Sequence, residues 1–165
     1  MVSRTEYVDR IRKALGRGPV VMLLGPRQIG KSTLAQQLLP RTDPQYFDLE
    51  LPGTQHLMND PYTTLEGLRG LVVIDEAQRA PALFPVLRVL ADRPRKPARF
   101  LLLGSASPEL SRQSNESLAG RVELIDVFGF TSTEVGRNAE RKLWTRGGFP
   151  RSLLARNEQD SMLWR

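Results

Sequence analysis

The amino-acid sequence predicts an α/β fold in which a five-stranded parallel sheet is sandwiched by helices. Apolar runs typical of buried strands alternate with segments of helical periodicity, an order that favours a doubly wound sheet. The five strand candidates are residues 20–24, 46–50, 71–74, 100–103 and 122–127. Beyond Phe128 the pattern changes to short helical segments. The sequence therefore predicts a core over residues 1–128 and a short helical C-terminal appendage over residues 129–165.

Helical patterns fill most of the segments between the strands. Ser3 opens a Ser-Arg-Thr-Glu capping box, which predicts a first amphipathic helix that ends at Gly16. Ser107 is a candidate N-cap because Pro108 follows it at the first helical position. Residues 54–70 are weakly patterned and indicate one short helix and a loop. Further segments with helical or mixed patterns are residues 34–40, 81–92, 131–134, 137–144 and 152–164.

Composition narrows the functional classes. At 165 residues the chain is long enough for one full core, and its 40% apolar and 25% charged residues are those of a globular protein. It contains no cysteine and a single histidine, His56, which excludes disulfides, thiolate metal sites and histidine-cluster metal sites. No apolar run is long enough to span a bilayer, and charged residues occupy the amino end where a secretory signal would be apolar. We therefore expect a cytoplasmic protein with no membrane partner.

The formal net charge of +6 favours a polyanionic partner. A nucleotide accounts for part of this charge, and nucleic acid would use more of it. No aromatic stacking pattern runs through the two basic clusters, so solvated helix faces and loops are the simpler interpretation. A nucleic-acid or protein partner and a homo-oligomer stay open. The clusters comprise Arg88, Arg93, Arg95, Lys96 and Arg99, and then Arg137, Arg141, Lys142, Arg146, Arg151 and Arg156.

Residues 25–32, Gly-Pro-Arg-Gln-Ile-Gly-Lys-Ser, match a phosphate-binding loop. Two glycines separated by four residues let the backbone curl, and the predicted strand before and helix after provide the context that the motif needs. Lys31 supplies a charge for the β- and γ-phosphates of a nucleoside triphosphate, Ser32 a hydroxyl for Mg²⁺, and Thr33 is a candidate contact to the α-phosphate. The residues predicted to bind the nucleotide here are Gly25, Pro26, Arg27, Gln28, Ile29, Gly30, Lys31, Ser32 and Thr33.

Two acids follow the strand at 71–74, at the carboxyl end where open α/β sheets bind ligands. On a strand, Asp75 and Glu76 point to opposite sides, so they suit different tasks. We expect Asp75 to hold the Mg²⁺ shell, directly or through water, and Glu76 to orient or deprotonate the attacking water. The acid pair, together with the absence of an Asn-Lys-x-Asp guanine-reading motif, favours ATP over GTP.

Two further residues are candidates for the catalytic site. Ser105 follows the strand at 100–103, where a polar side chain between the acid pair and the γ-phosphate would sense that phosphate. Arg121 is the candidate for an arginine that stabilises charge on the transferring phosphoryl group. A surface role for Arg121 is equally compatible with the sequence. Action within its own chain and action across a subunit interface both stay open.

Five motifs occur in order along the chain, and together they resemble those of a family of bacterial and archaeal AAA+-type ATPases. This family is the fourteenth of the AAA domain families, and the resemblance covers about residues 15–160. Members usually carry a C-terminal domain of unknown function, which implies that this chain is a fragment or a reduced form. The motifs are the phosphate loop, Val-Val-Ile-Asp-Glu-Ala-Gln-Arg at 72–79, Leu-Leu-Leu-Gly-Ser-Ala-Ser-Pro-Glu-Leu at 101–110, Ser-Leu-Ala-Gly-Arg at 117–121 and Arg-Gly-Gly-Phe-Pro at 146–150.

The resemblance implies a P-loop NTPase core with the strand order 5-1-4-3-2. Similarity to signalling ATPases of the same broad class also implies that Gly148 and Pro150 lie near the adenine, although a turn-forming role explains both residues equally well. The functional residues that the resemblance implies are Lys31 and Ser32 of Walker A, Asp75 and Glu76 of Walker B, and the sensor Ser105.

These observations support an Mg²⁺-dependent ATPase that couples turnover to conformational change. One alternative is a nucleotide-gated regulatory or binding module with slow or no hydrolysis, for which the basic clusters would be the docking surface. Another is a small-molecule kinase, which shares the phosphate loop. The acid pair suits water activation better than phosphoryl transfer to a metabolite, and the sequence indicates no acceptor site.

Overall fold

A computed structural model describes residues 4–95 and 98–164. Within these residues, the strands are β1 (Val20–Gly25), β2 (Tyr46–Asp48), β3 (Gly70–Asp75), β4 (Ala98–Ser105) and β5 (Val122–Asp126). They form a single sheet in which neighbouring strands are parallel, in the order β2-β3-β4-β1-β5. This is the order 5-1-4-3-2 read from the other edge, so the predicted P-loop NTPase topology is confirmed.

Helices cover both faces of the sheet, which explains why the inner strands β1, β3 and β4 contain continuous apolar runs. Side chains alternate between the two faces along a strand. On one face, Met22 of β1 belongs to a buried cluster with Phe100 and Leu87. On the other face, Leu23 belongs to a second buried cluster with residues such as Ile11. Strand β1, which lies between β4 and β5, is buried at every residue, and its carboxyl end leads directly into the phosphate loop.

In the part of the core that the structure describes, the helices are α1 (Thr5–Arg17), α2 (Lys31–Gln36), α3 (Pro52–Leu57), α4 (Pro61–Leu65), α5 (Leu83–Ala91) and α6 (Pro108–Ser117). Arg4 is the N-cap of α1 and makes no side-chain capping hydrogen bond, while the predicted capping residue Ser3 lies outside the described residues. Ser107 caps α6 through its side chain, as predicted. Residues 54–70 contain most of α3 and all of α4, whereas one helix was expected.

Beyond residue 128, the described chain forms α7 (Ser132–Val135), α8 (Glu140–Arg146), α9 (Pro150–Leu153) and α10 (Glu158–Trp164). Polar contacts connect the last three of these helices. The buried Ser152 hydroxyl donates to the Arg146 carbonyl oxygen at 2.6 Å and lies 2.8 Å from the Ser161 hydroxyl. Arg146 in turn donates to the Glu158 carboxylate at 2.8 Å. None of the helices in the described residues has the length and apolar character that crossing a bilayer requires.

Candidate nucleotide-binding site

The phosphate loop lies at the carboxyl end of β1 and leads into α2. Glycine is required at Gly25, because a Cβ atom there would lie 2.5 Å from the Val127 carbonyl oxygen. Gly30 adopts φ +101°, a conformation that favours glycine, immediately before α2 begins at Lys31. Gln28 also has a positive φ, of 62°. These turns curl the backbone around the start of α2, an arrangement that directs N–H groups towards a phosphate.

Lys31 lies inside this loop. Its side chain is buried, and its Nζ donates hydrogen bonds to the Gly25 and Pro26 carbonyl oxygens, both at 2.9 Å. Burial lowers the pKa of the Lys31 amine below its usual value, while the carboxylates of Glu76 and Asp75 oppose this shift. An anionic oxygen would be a stronger acceptor for the ammonium than the two neutral carbonyl groups.

Asp75 is the buried last residue of β3. Both of its carboxylate oxygens accept a hydrogen bond at 3.0 Å, Oδ1 from the Glu76 backbone N–H and Oδ2 from the Tyr46 hydroxyl. Burial, assisted by the Asp75 carboxylate, raises the pKa of Tyr46 far above its usual value, so the phenol stays protonated. A carboxylate oxygen accepts about two hydrogen bonds, so each oxygen keeps a lone pair for a metal ion or a metal-bound water.

Glu76 departs from the strand geometry that was expected for it. Its backbone is left-handed, with φ 55° and ψ 43°, and it starts a 3₁₀ turn (Ala77–Arg79) instead of extending β3. The turn, and not the alternation along a strand, therefore sets the direction of its side chain. Such a conformation costs a non-glycine residue about 1–3 kcal/mol, and residues of this kind cluster at functional sites. The Gln78 side-chain amide donates to the Glu76 carboxylate and holds it in place, a contact that the sequence pattern did not indicate.

Ser105 lies next to the first residue of the phosphate loop in the sheet. Ser105, the last residue of β4, lies opposite Gly25 in the β1–β4 register. Its Oγ is buried and has no hydrogen-bond partner among the described residues. Because buried polar atoms are nearly always paired, this hydroxyl fits a contact to a bound ligand. The fold brings Glu76 to the phosphate loop, because Glu76 and residues of the loop line one open pocket of 480 Å³, which we call the phosphate pocket. Its lining residues are Gln28, Gly30, Lys31, Ser32, Thr33, Glu76, Pro150 and Arg151.

Arg121 lies at the end of the sheet where the parallel strands begin, opposite the end that carries the phosphate loop. It precedes β5, whose first residue Val122 pairs with Val20, the first residue of β1. Gly25 is five strand residues further on, which is roughly 17 Å at about 3.3 Å per residue. The Arg121 guanidinium forms two hydrogen bonds to the Asp92 carboxylate, at 2.7 and 2.8 Å. It is therefore not brought to the phosphate pocket of its own chain. This position is compatible with the predicted surface role and with action across a subunit interface.

Pro150 and Gly148 have different surroundings. Pro150 lines the phosphate pocket, and its Cγ lies 3.9 Å from the position that a Cβ on Gly30 would take. The Gly148 carbonyl oxygen accepts a hydrogen bond from the Phe130 N–H at 2.7 Å, and a Cβ on Gly148 would lie 2.7 Å from the Phe130 carbonyl oxygen. In the described part of the chain, Gly148 lines neither the phosphate pocket nor the pocket next to it. Close approach of two backbones thus explains this glycine.

The neighbouring pocket has a volume of 220 Å³ and shares Gly30, Thr33 and Pro150 with the phosphate pocket. It is more enclosed and mostly apolar, and it lies between α2 and the appendage. An apolar pocket that adjoins a phosphate loop suits a planar base, so we call it the base pocket. It is lined by Arg4, Ile29, Gly30, Thr33, Leu34, Gln37, Phe130, Pro150 and Leu154.

Arg4 joins the core to the appendage, and no sequence pattern indicated this role. Its guanidinium is buried, and Nε donates to Glu134 Oε1 at 2.7 Å. Its two terminal nitrogens donate to the carbonyl oxygens of Ile29 at 3.3 Å and Phe128 at 2.8 Å. The guanidinium also lies 5.2 Å from the centre of the Phe130 ring. One side chain thus connects α1, the phosphate loop and the start of the appendage.

The appendage contacts the phosphate loop a second time through Gln28. The Gln28 Oε1 accepts hydrogen bonds from Trp164 Nε1 at 3.2 Å and from Arg151 at 3.4 Å. The Trp164 ring packs against Phe149, with the ring centres 5.3 Å apart. Arg151, which the sequence placed only in a basic cluster, therefore belongs to the phosphate pocket. These contacts couple the conformation of the loop to the position of the appendage.

Comparisons with known proteins agree with this architecture. A family model described as "AAA domain" matches residues 17–136. Uncharacterized proteins of Mycobacterium bovis and Mycobacterium tuberculosis are each 53% identical over an alignment that covers 100% of this chain, and the chain spans 37% of their length. Among solved structures, a Walker-type ATPase of Pyrococcus abyssi superposes with a TM-score of 0.65 and 17% identity, over 99% of this chain and 71% of that chain. This last similarity shows the fold alone.

Proposed function

Because the chain belongs to the AAA domain family, we propose that it binds ATP together with Mg²⁺ and hydrolyses the ATP. The observation that carries the proposal is the phosphate pocket, in which Lys31, Ser32 and Glu76 line the same space. Hydrolysis of a triphosphate requires a cation for the phosphates, oxygen ligands for a metal and a group that positions water. The buried Ser105 hydroxyl, which has no hydrogen-bond partner among the described residues, lies at the carboxyl end of β4, next to the start of the phosphate loop.

Lys31, Ser32 and Asp75 are the residues that would hold the phosphates and the metal. The Lys31 ammonium would exchange its two carbonyl partners for phosphate oxygens, which are stronger acceptors. The Ser32 hydroxyl and the remaining lone pairs of Asp75 suit Mg²⁺, a hard cation that prefers oxygen ligands. When bound, Mg²⁺ neutralises part of the negative charge on the phosphates.

Glu76 is the proposed general base of the hydrolysis. Its carboxylate would take a proton from a water that attacks the terminal phosphorus. The bond between that phosphorus and the bridging oxygen breaks, so that ADP and inorganic phosphate leave. Gln78 holds the Glu76 carboxylate in position, and Ser105 would contact the terminal phosphate.

The base pocket is the proposed adenine site. Phe130, Pro150 and Leu154 belong to the appendage, whereas Thr33 and Leu34 belong to α2. An adenine bound between them would contact both the core and the appendage. We propose that this shared contact couples the nucleotide state to the position of the appendage.

Arg121 is proposed to act on a nucleotide held by a neighbouring copy of the chain. In a head-to-tail contact between two copies, the end of one sheet where the strands begin, next to Arg121, would meet the end of the other sheet where the strands finish. We expect Arg121→Ala to lower turnover by about 10³-fold or more while the protein retains ATP binding. Arg17→Ala is the matched control, because Arg17 forms a similar ion pair with Glu123 near the same edge. Mixing Arg121→Ala with Lys31→Ala protein should restore turnover, and failure to restore it would count against a shared site.

A phosphate-release assay tests the proposed hydrolysis. Glu76→Gln should retain ATP binding and lose turnover, whereas Lys31→Ala should lose both. Glu116→Gln removes an exposed acid on α6 and is the matched control. If Glu76→Gln releases phosphate as fast as Glu116→Gln does, Glu76 is not the base.

The same assay separates the alternative functions. It is run with and without duplex DNA, single-stranded DNA and RNA, and stimulation by any of them would support a nucleic-acid partner. Tight ATP binding without phosphate release would favour a nucleotide-gated module, which the contacts of Arg151 and Trp164 with Gln28 also support. Phosphate that appears only on an added metabolite would indicate a kinase.

A further inference from the structure

Tyr46 makes a hydrogen bond that its packing does not require. It lies on the edge strand β2, opposite Val73 of β3, and its ring belongs to the buried apolar cluster that includes Leu34 and Ala35. This burial explains an aromatic residue at the position. It does not explain the hydroxyl, which donates to Asp75 Oδ2 at 3.0 Å, because phenylalanine would fill the same space.

We propose that Tyr46 is a positioning residue that orients the Asp75 carboxylate for Mg²⁺, an inference that rests on the proposed binding of ATP with Mg²⁺. The terminal torsion of an aspartate side chain is soft, so the plane of the carboxylate needs external partners to hold it. The Glu76 N–H holds Oδ1 and the Tyr46 hydroxyl holds Oδ2. Hydrogen bonds of this kind orient carboxylates that bind metals and tune their affinity.

The neighbouring acid Asp48 shows why the chemical type of the donor matters. Asp48 lies opposite Asp75 in the β2–β3 register, and both residues are buried. Arg41 forms an ion pair with Asp48, so the charge of that carboxylate is balanced within the protein. Asp75 instead accepts from Tyr46, which is a neutral donor. A neutral donor fixes the carboxylate and leaves its negative charge for a cation.

Tyr46→Phe tests this role because it removes the donor and keeps the ring. We expect the affinity for metal in the nucleotide complex to fall about 10- to 100-fold, the typical effect of losing such a hydrogen bond. The measurement is a titration of the full chain with Mn²⁺ in the presence of a non-hydrolysable ATP analogue, with free Mn²⁺ detected by electron paramagnetic resonance. Affinity for the analogue in EDTA should be unchanged. In turnover assays the half-saturating Mg²⁺ concentration should rise, while the rate at saturating Mg²⁺ stays near that of the parent protein.

Tyr62→Phe makes the same substitution at an exposed tyrosine of α4 and is the matched control. Thermal unfolding of both variants verifies that they fold. Because Tyr46 would act through Asp75, adding Tyr46→Phe to Asp75→Asn should weaken metal binding no further.

Equal metal affinity in Tyr46→Phe and Tyr62→Phe would overturn the inference, and so would a full additional loss in the Asp75→Asn background. A lower unfolding temperature with unchanged metal affinity would also overturn it, since the role would then be packing alone. These outcomes leave the proposed function intact if the parent protein binds the analogue with Mn²⁺. If the parent protein binds no analogue, the proposed function itself fails.

Discussion

Replacing Arg4 by methionine tests the junction between the core and the appendage. Methionine keeps an unbranched apolar stem and removes the charge. Glu134 would lose its cation while its side chain remains only 8% exposed. Breaking a buried ion pair by removing one partner costs about 3–5 kcal/mol. Glu134 keeps a hydrogen bond from the Thr131 N–H at 2.8 Å. We therefore expect a loss at the lower end, about 3 kcal/mol.

This loss should be visible in two assays. In a domain of this size, each kcal/mol lowers Tm by about 2–4 °C, so Arg4→Met should lower Tm by roughly 6–12 °C. Circular dichroism during heating measures this shift. Affinity for an ATP analogue should also fall, because Arg4 lines the base pocket and donates to the Ile29 carbonyl oxygen of the phosphate loop.

Two further variants make the Arg4 experiment decisive. Arg10→Met alters an exposed residue of α1 and should change the free energy of unfolding by no more than about 0.5 kcal/mol. Combining Arg4→Met with Glu134→Gln should recover part of the loss, because no uncompensated charge then remains buried. If Arg4→Met and Arg10→Met unfold at the same temperature, the ion pair does not hold the appendage and the reasoning is refuted.

Three other perturbations have expected outcomes. Gly25→Ala should abolish analogue binding and lower Tm, because the new Cβ would lie 2.5 Å from the Val127 carbonyl oxygen; unchanged binding would show that the two backbones can separate. Nucleotide affinity should decrease as the pH rises towards the lowered pKa of Lys31, since burial favours the neutral amine and the ammonium is the form that binds phosphate. Lys31→Arg should remove this pH dependence because arginine stays charged, and a decrease that persists in this variant would assign it to another group. In Trp144→Phe protein, the fluorescence of Trp164 should change when nucleotide binds, because the indole N–H of Trp164 donates a hydrogen bond to Gln28 of the phosphate loop. In Trp164→Phe protein, Trp144, which is 91% exposed, should not respond, and equal responses of the two variants would contradict the contact.

Patterns among neighbouring residues predict the elements that carry the candidate site. A continuous apolar run is what a strand buried on both faces requires, so β1, β3 and β4 are evident from the sequence. Parallel strands have their carboxyl ends at one edge of the sheet, and the residues that follow these strands therefore meet there. Lys31, Glu76 and Ser105 lie at this edge in the structure for that reason. The conformation of Glu76 is the local exception, because a left-handed residue does not continue the strand alternation from which its direction was expected.

By itself the sequence determined the phosphate loop, the order of the elements and the family, because each depends on residues that are close along the chain. The tertiary structure decided which distant residues meet. It placed Arg121 at the end of the sheet away from the phosphate loop and brought the Tyr46 hydroxyl to Asp75. It also joined Arg4 to the Phe128 carbonyl oxygen, 124 residues away. Local spacing constrains neighbours within a turn or a strand, whereas these contacts follow from how the packed sheet and the docked appendage bring remote segments together.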